Sequence, residues 1–306
     1  MSMFKRVFLF LLINILVLLT ISGILHFLHL EPLLNSYGLH YKSLMIFCLV
    51  WGMVGAFISL MLSRVMAKWM LGVKLIDPNT PNESHQRLYL MVEKLAKAAN
   101  LPSTPEVGVF EYPLPNAFAT GPTRRKSLVA VSSSLLHTMS PSQLQAVIGH
   151  EISHIASGDM VTMTLLQGIV NAFVMFLARV LAFMCSSLGK SSRERSSTSS
   201  YFTYTAFVFV FEIVFMILGT MVLAFYSRRR EFRADHGGAS LSSRQHMISA
   251  LRALERSFEK KELKEKTPAL QAFMINSQSS TLLRLFATHP PIETRVHKLE
   301  QYHDLI

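Results

Sequence analysis

The residues with the clearest chemical potential are His150, Glu151 and His154, in the run Gly149-His150-Glu151-Ile152-Ser153-His154. Imidazoles four residues apart on a helix project from one face, one turn above the other. That spacing lets one helix offer two nitrogens to a single tetrahedral Zn²⁺. Glu151 follows the first histidine and points roughly a quarter-turn away. There it can reach a metal-bound water without taking a ligand position, as a general base must. The bland alternative is a pair of partly exposed histidines on an amphipathic helix. The helix context that the motif requires weighs against it.

That context is strong. Ser140 suits an N-cap, Pro141 the first helical position, and Gln143 the reciprocal place in a capping box. Gly158 supplies a stop soon after the second histidine. A catalytic zinc wants three protein ligands and an open position. The downstream candidates are His236, His246, His289, His297 and His303, with Asp159, Glu231 and Asp235 among the acids. Asp159 lies only five residues past His154, too near along the chain to close a tetrahedron comfortably. Glu231 and Asp235 stand i, i+4 in Glu231-Phe232-Arg233-Ala234-Asp235, at the expected start of a cytosolic helix. Glu231 can ligate while Asp235, one turn on, accepts the other N–H of a ligand histidine. The competing reading has both acids offset the nearby arginines.

The elements that must position these groups belong to a membrane protein. Half of the 306 residues are hydrophobic and 16% are charged, against about a quarter in soluble chains. Val7 to Leu28 is an apolar run long enough to cross a bilayer, with no small-residue cleavage site after it, so a retained span is expected. Ser43 to Leu62 carries no charge. Val161 to Leu188 contains only Arg179, and Tyr201 to Tyr226 only Glu212. The expected organisation is two N-terminal spans in 1–63, the first half of a catalytic domain with the metal helix in 64–160, a helical hairpin in 161–226, and the second half in 227–306. The alternative for the hairpin is that it dips into the membrane or packs on the protein without crossing. With four spans, 25 of the 30 basic residues collect on one side, which places that side and both termini in the cytoplasm. Each catalytic half is small for a stable core, so the two must fold together. Arg179 and Glu212 fall at similar depth in an antiparallel pair, and lone intramembrane charges tend to pair, so a contact between them is expected.

Between the spans, Leu88, Met91, Val92, Leu95 and Ala99 recur at helical spacing, Glu106 to Phe110 and Ser127 to Ser132 read as strands, and Pro115 to Pro122 as a strand leading into a turn. An exposed edge strand beside a metal helix is a natural dock for an extended peptide, although a plain supporting hairpin has the same sequence signature. A further helix from about Pro268 to Phe286 is expected, and His289-Pro290-Pro291 opens a final short one. Cys48 and Cys185 fit neither a metal site nor a disulfide framework. The +11 net charge follows membrane topology rather than clustering with aromatics, which argues against a nucleic-acid binder. Two intramembrane charges without broken helices argue against a transporter.

With these residues in view, the chain resembles the HtpX-type integral-membrane zinc metallopeptidases, relatives of the prenyl-protein (CaaX) endopeptidases. The matching residues are His150 to His154, Gly158-Asp159, Asn116 to Gly121, Glu231 to Asp235, and Thr288-His289-Pro290-Pro291. The resemblance implies a mostly α membrane protein whose cytosolic part is an α+β, zincin-like (gluzincin) domain with a small sheet. It implies one zinc held by His150, His154 and Glu231, with Glu151 as base. It also implies substrate pairing along Asn116, Ala117, Phe118 and Ala119, and oxyanion donors in Asn116 and His289. The implied role is proteolytic quality control and stress response in the bacterial inner membrane, on misfolded or membrane proteins at the cytosolic face. The rival is an inactive zinc-containing scaffold, against which an intact Glu151 argues.

Overall fold

The computed structural model describes residues 40–188, 197–264 and 287–301. The expected span at 7–28 and the expected helix at 268–286 lie outside them. In chain order the elements are α1 (Tyr41–Met70), β1 (Lys74–Leu75), α2 (Glu83–Ala98), β2 (Glu106–Phe110), β3 (Ala117–Thr120) and β4 (Leu128–Ser132). There follow α3 (Ser133–Thr138), α4 (Pro141–Ser157), α5 (Asp159–Leu188), α6 (Ser197–Leu241), α7 (Arg244–Lys264) and α8 (Ile292–Gln301). The described residues are mostly helical, with one small mixed sheet. Three of the helices, α1, α5 and α6, are long and apolar enough to cross a membrane.

The chain divides into two compact units. One holds residues up to Ile58 together with Thr162–Leu223, and the other Ser59–Val161 together with the chain from Ala224. In the first unit, a Cβ on Gly52 of α1 would lie 2.8 Å from the Ala172 main-chain nitrogen of α5, so these two helices touch backbone to backbone. Apolar helices without a hydrophobic drive between them associate through such small-residue contacts. Arg179 Nη1 of α5 donates to Glu212 Oε1 of α6 at 2.8 Å, the expected intramembrane pair.

In the second unit the strand order is β1-β2-β4-β3. β2 and β4 run parallel, Val107 opposite Val129, while β1 and β3 add antiparallel edges, Phe118 opposite Ala130. The two central strands are almost wholly buried, which explains their near-continuous apolar sequence rather than an alternating one. The edge strand β1, two residues long, carries no periodic signal and was not foreseen. The core joins Leu88, Val92 and Leu95 of α2 to Val129 and Val131 of β4 and to Ile148, Ile152 and Ile155 of α4. Each such side chain contributes roughly 1.5–3 kcal/mol.

Helix α4 forms as its ends dictate. The Ser140 N–H donates to Gln143 Oε1 at 3.0 Å while Ser140 Oγ accepts from the Gln143 N–H, and Gly158 stops the helix in the left-handed region at φ 66°. α6 departs from expectation. Glu231 and Asp235 do not open a new helix; they lie within the forty-five-residue α6, which passes from its apolar run into Ser227-Arg228-Arg229-Arg230 unbroken. Composition shifts there because the surroundings change, yet Ser and Arg are adequate helix formers and no Gly or Pro intervenes between Gly219 and Gly237.

Candidate metal centre

Two helices, α4 and α6, build the site, and their approach depends on missing side chains. A Cβ on Gly149 would meet the Gly238 Cα at 3.3 Å, and one on Gly237 would fall 2.2 Å from Ser153 Oγ. Where the backbones meet, each helix presents an i, i+4 pair: His150 and His154 from α4, Glu231 and Asp235 from α6.

The His150 and His154 Nε2 atoms stand 3.1 Å apart. Glu231 Oε2 lies 3.5 Å from the first and Glu231 Oε1 3.3 Å from the second. All three residues are buried, Glu231 to 1% exposure, and one donor atom from each lies within 4.8 Å of the others. Two imidazole nitrogens aimed at each other leave at most one with a hydrogen to offer, and Glu231 Oε1 has no hydrogen-bond partner. Buried acceptors left facing one another are costly, and a cation among them removes the cost. The two-nitrogen, one-carboxylate set is that of an open catalytic zinc site, so the residues fit the metal.

Carboxylates hold the rings from behind. Asp159 Oδ2 lies 2.8 Å from His154 Nδ1, and Asp235 Oδ1 lies 2.9 Å from His150 Nδ1, off the line of a good N–H donor. Asp235 is itself gripped by Arg295 of α8, whose Nε donates to Oδ2 at 2.7 Å and whose Nη2 reaches Oδ1. Arg230 and Arg233 approach Asp159 at 3.9 Å. Burial opposes charging His150, yet the Asp235 and Glu231 carboxylates overcome it and push its pKa up to about 9. Glu231 stands beyond the apolar run of α6; burial would raise its pKa, but His150, His154 and His289 hold it well below the usual carboxylate range.

His289 reaches the same place from the loop before α8. Its Nδ1 lies 2.8 Å from Glu231 Oε2, its side chain stays 64% exposed, and Arg228 Nη1 bonds the neighbouring Ala287 carbonyl at 2.8 Å. The structure thus gathers His150, His154, Glu231, Asp235 and His289. Glu151 is half-buried on α4. Asn116 is exposed just before β3, its N–H bonded to Ser132 Oγ at 2.9 Å and its carbonyl accepting from the Ser132 N–H at 2.8 Å. β3 is a sheet edge packed against α4, with Ala117 and Ala119 turned to one core and Phe118 to the other. Sequence reasoning missed Arg295 and set Asp159 aside. Asp159 had a usable signal in its place beside the stop glycine; Arg295, sixty residues from its partner, had none.

Comparison with known proteins gives the family and the fold. A family model described as Peptidase family M48 matches residues 82–303. A Protease HtpX homolog of Methylacidiphilum infernorum is 46% identical over 304 residues, covering 99% of this chain and all of that one. Another, from Bacillus subtilis, is 44% identical over 305 residues, covering 97% and 99%. In fold, the chain is similar to the crystal structure of S. mikatae Ste24p, with a TM-score of 0.57 at 17% identity over 97% of this chain and 67% of that one. Apolar helices, a buried His-His-Glu set and full-length likeness to HtpX proteases converge: the chain belongs to peptidase family M48 and is a membrane metalloprotease.

Proposed function

We propose that this protein is a zinc endopeptidase of the bacterial inner membrane. Its catalytic unit and both termini are cytosolic, and it cleaves misfolded or membrane-bound proteins in quality control. The observation that carries the reading is the buried trio His150, His154 and Glu231, with its nitrogens and carboxylate oxygens converging. The concentration of 25 of the 30 basic residues on one side of the spans supports the cytosolic orientation. The quality-control role rests on the family likeness.

His150, His154 and Glu231 would hold the zinc, which when bound supplies Lewis acidity that lowers the pKa of a water and polarises the scissile carbonyl. Glu151 takes the water proton and later delivers it to the leaving amine. Asp159 fixes the His154 ring through its Nδ1, and Asp235 backs the His150 ring at 2.9 Å from its Nδ1, keeping each Nε2 turned inward. The outer edge of β3 pairs with an extended substrate through its main chain. The Asn116 amide and the His289 ring donate to the tetrahedral oxygen; His289 Nδ1 is engaged by Glu231, leaving Nε2 for that task.

Metal analysis of purified protein, alongside chelator-sensitive casein cleavage, tests this. Glu151→Gln should keep one zinc per chain and lose cleavage by about 10²–10⁴. Undiminished cleavage in Glu151→Gln refutes the assigned base. A wild-type chain that binds zinc yet cleaves nothing is the scaffold instead.

A further inference from the structure

We propose that the last turns of α1, with β1, form an interfacial belt that lies in the headgroup layer of the bilayer and holds that edge of the sheet at the membrane surface. The inference rests on α1 crossing the membrane. Thirty residues make α1 roughly 45 Å long. Its charge-free part, Ser43 to Leu62, already fills the ~30 Å hydrocarbon layer, so the turns after Leu62 emerge from it.

Those turns have two unlike faces. Arg64, Ala67 and Lys68 face the sheet: Arg64 Nη1 and Lys68 Nζ lie 3.3 and 2.9 Å from Glu106 Oε2, and Ala67 packs against the core of Val73, Phe110, Leu128 and Ala130. Val65, Met66, Trp69 and Met70, at the complementary i, i+4 positions, are exposed, and the stripe continues through Leu71 in the turn and Leu75 in β1. Trp69 is 80% exposed. Gly72, at φ 60°, ends the helix, and the Val73 N–H returns to the Lys68 carbonyl at 3.1 Å, which locks the stripe in place.

Six large apolar side chains in the eleven residues from Val65 to Leu75 are a liability against water. The same six suit the water–hydrocarbon boundary, where a tryptophan is most at home. Trp69 lies seven residues past Leu62, roughly 10 Å along the axis and less along the membrane normal once the helix tilts, which is headgroup depth. The partner is lipid rather than another protein because the stripe continues an apolar span without a gap. Its charge also suits an anionic leaflet: Arg64, Lys68 and Lys74 outnumber Glu106, which only the first two approach. Held this way, the catalytic unit would meet substrates where they leave the membrane.

The chain has only two tryptophans, and the other, Trp51, lies midway along the charge-free part of α1, 62% exposed. Full-length Trp51→Phe and Trp69→Phe proteins therefore each report one site in phosphatidylcholine–phosphatidylglycerol vesicles. Lipids carrying a nitroxide at the headgroup or near the chain terminus serve as quenchers. Trp69 should be quenched more by the headgroup label, and Trp51 more by the deep label. If Trp51 escapes the deep label, the spanning reading fails. If Trp51 is quenched as expected but Trp69 is open to aqueous iodide, shielded from lipid and iodide alike, or quenched best by the deep label, the belt alone is overturned.

Discussion

Replacing Gly237 by alanine tests whether the crossing of α4 and α6 sets the ligand geometry. The new Cβ would sit 2.2 Å from Ser153 Oγ and 2.7 Å from Ser153 Cβ. Rotating the hydroxyl away would relieve the first overlap at the loss of its 2.7 Å bond to the Gly149 carbonyl, worth about 1 kcal/mol. No rotation relieves the second, because Cβ is fixed to the backbone. Reaching ordinary contact near 3.4 Å therefore needs the helices to part by about 0.7 Å. Metal sites tolerate about 0.2 Å, and His150 and His154 are on one helix with Glu231 on the other. Zinc affinity should fall by about 10–100-fold, with cleavage falling in step. Stability should fall too, by about 1–3 kcal/mol, because the ~1 kcal/mol that alanine gains over glycine in a helix offsets the lost hydroxyl bond but not the overpacking. Competition with a chelating dye measures the affinity. Ser153→Gly removes both obstructing atoms and should restore affinity in the double variant, while Gly55→Ala, where a Cβ meets nothing within 4 Å, should leave it unchanged. Wild-type affinity in Gly237→Ala would refute the claim that helix spacing governs the site.

Asp159→Asn should weaken zinc binding about 10–100-fold by loosening His154, and the same titration would detect it; an unchanged constant would mean the Asp159 contact is incidental. After chelation, His150 carries a pKa of about 9, above its ordinary 6.5, so its contribution to stability is full below pH 6.5 and lost as pH rises through 9. Zinc competes with that same proton, so affinity should climb across the window in which chelated protein loses stability; paired denaturation and metal titrations at several pH values check both signs. Arg179→Gln and Glu212→Gln should each destabilise the membrane unit, and the double variant by less than their sum, with a coupling of about 0.5–3 kcal/mol in a mutant cycle; strict additivity would show that the 2.8 Å contact is not energetic.

What the sequence disclosed was whatever local spacing encodes. The caps around α4, the imidazole pair, the acids at 231 and 235, and the matched depth of Arg179 and Glu212 are all statements about residues a few turns apart or counted from a hairpin tip. Asp159 was dismissed because five residues seemed too short a tether to reach the metal. The Gly158 turn brings that acid back onto His154 Nδ1, so the short tether suits a supporting role. The boundary drawn before Glu231 confused a change of surroundings with a change of backbone. Polar side chains mark where α6 leaves an apolar setting, and its hydrogen-bond ladder runs on regardless. Arg295 and β1 exist as partners only once the chain has folded.

The glycines are the least conspicuous part of the site and explain its form. Two i, i+4 pairs on crossing helices can face one another only if the crossing falls beside both, and only if the backbones come nearer than side chains usually permit. Gly149 immediately precedes His150, and Gly237-Gly238 follow two residues after Asp235. A Cβ on Gly238 would stand 3.0 Å from the His150 main-chain nitrogen, so the backbone of α6 passes beside the first residue of the donor set. The histidine motif and the acidic motif are separated by more than seventy residues of apolar helix and linker, yet each has its glycine at the place where the other must pass. The spacing of donors within each helix follows from helical periodicity, and the spacing between helices follows from what those positions lack.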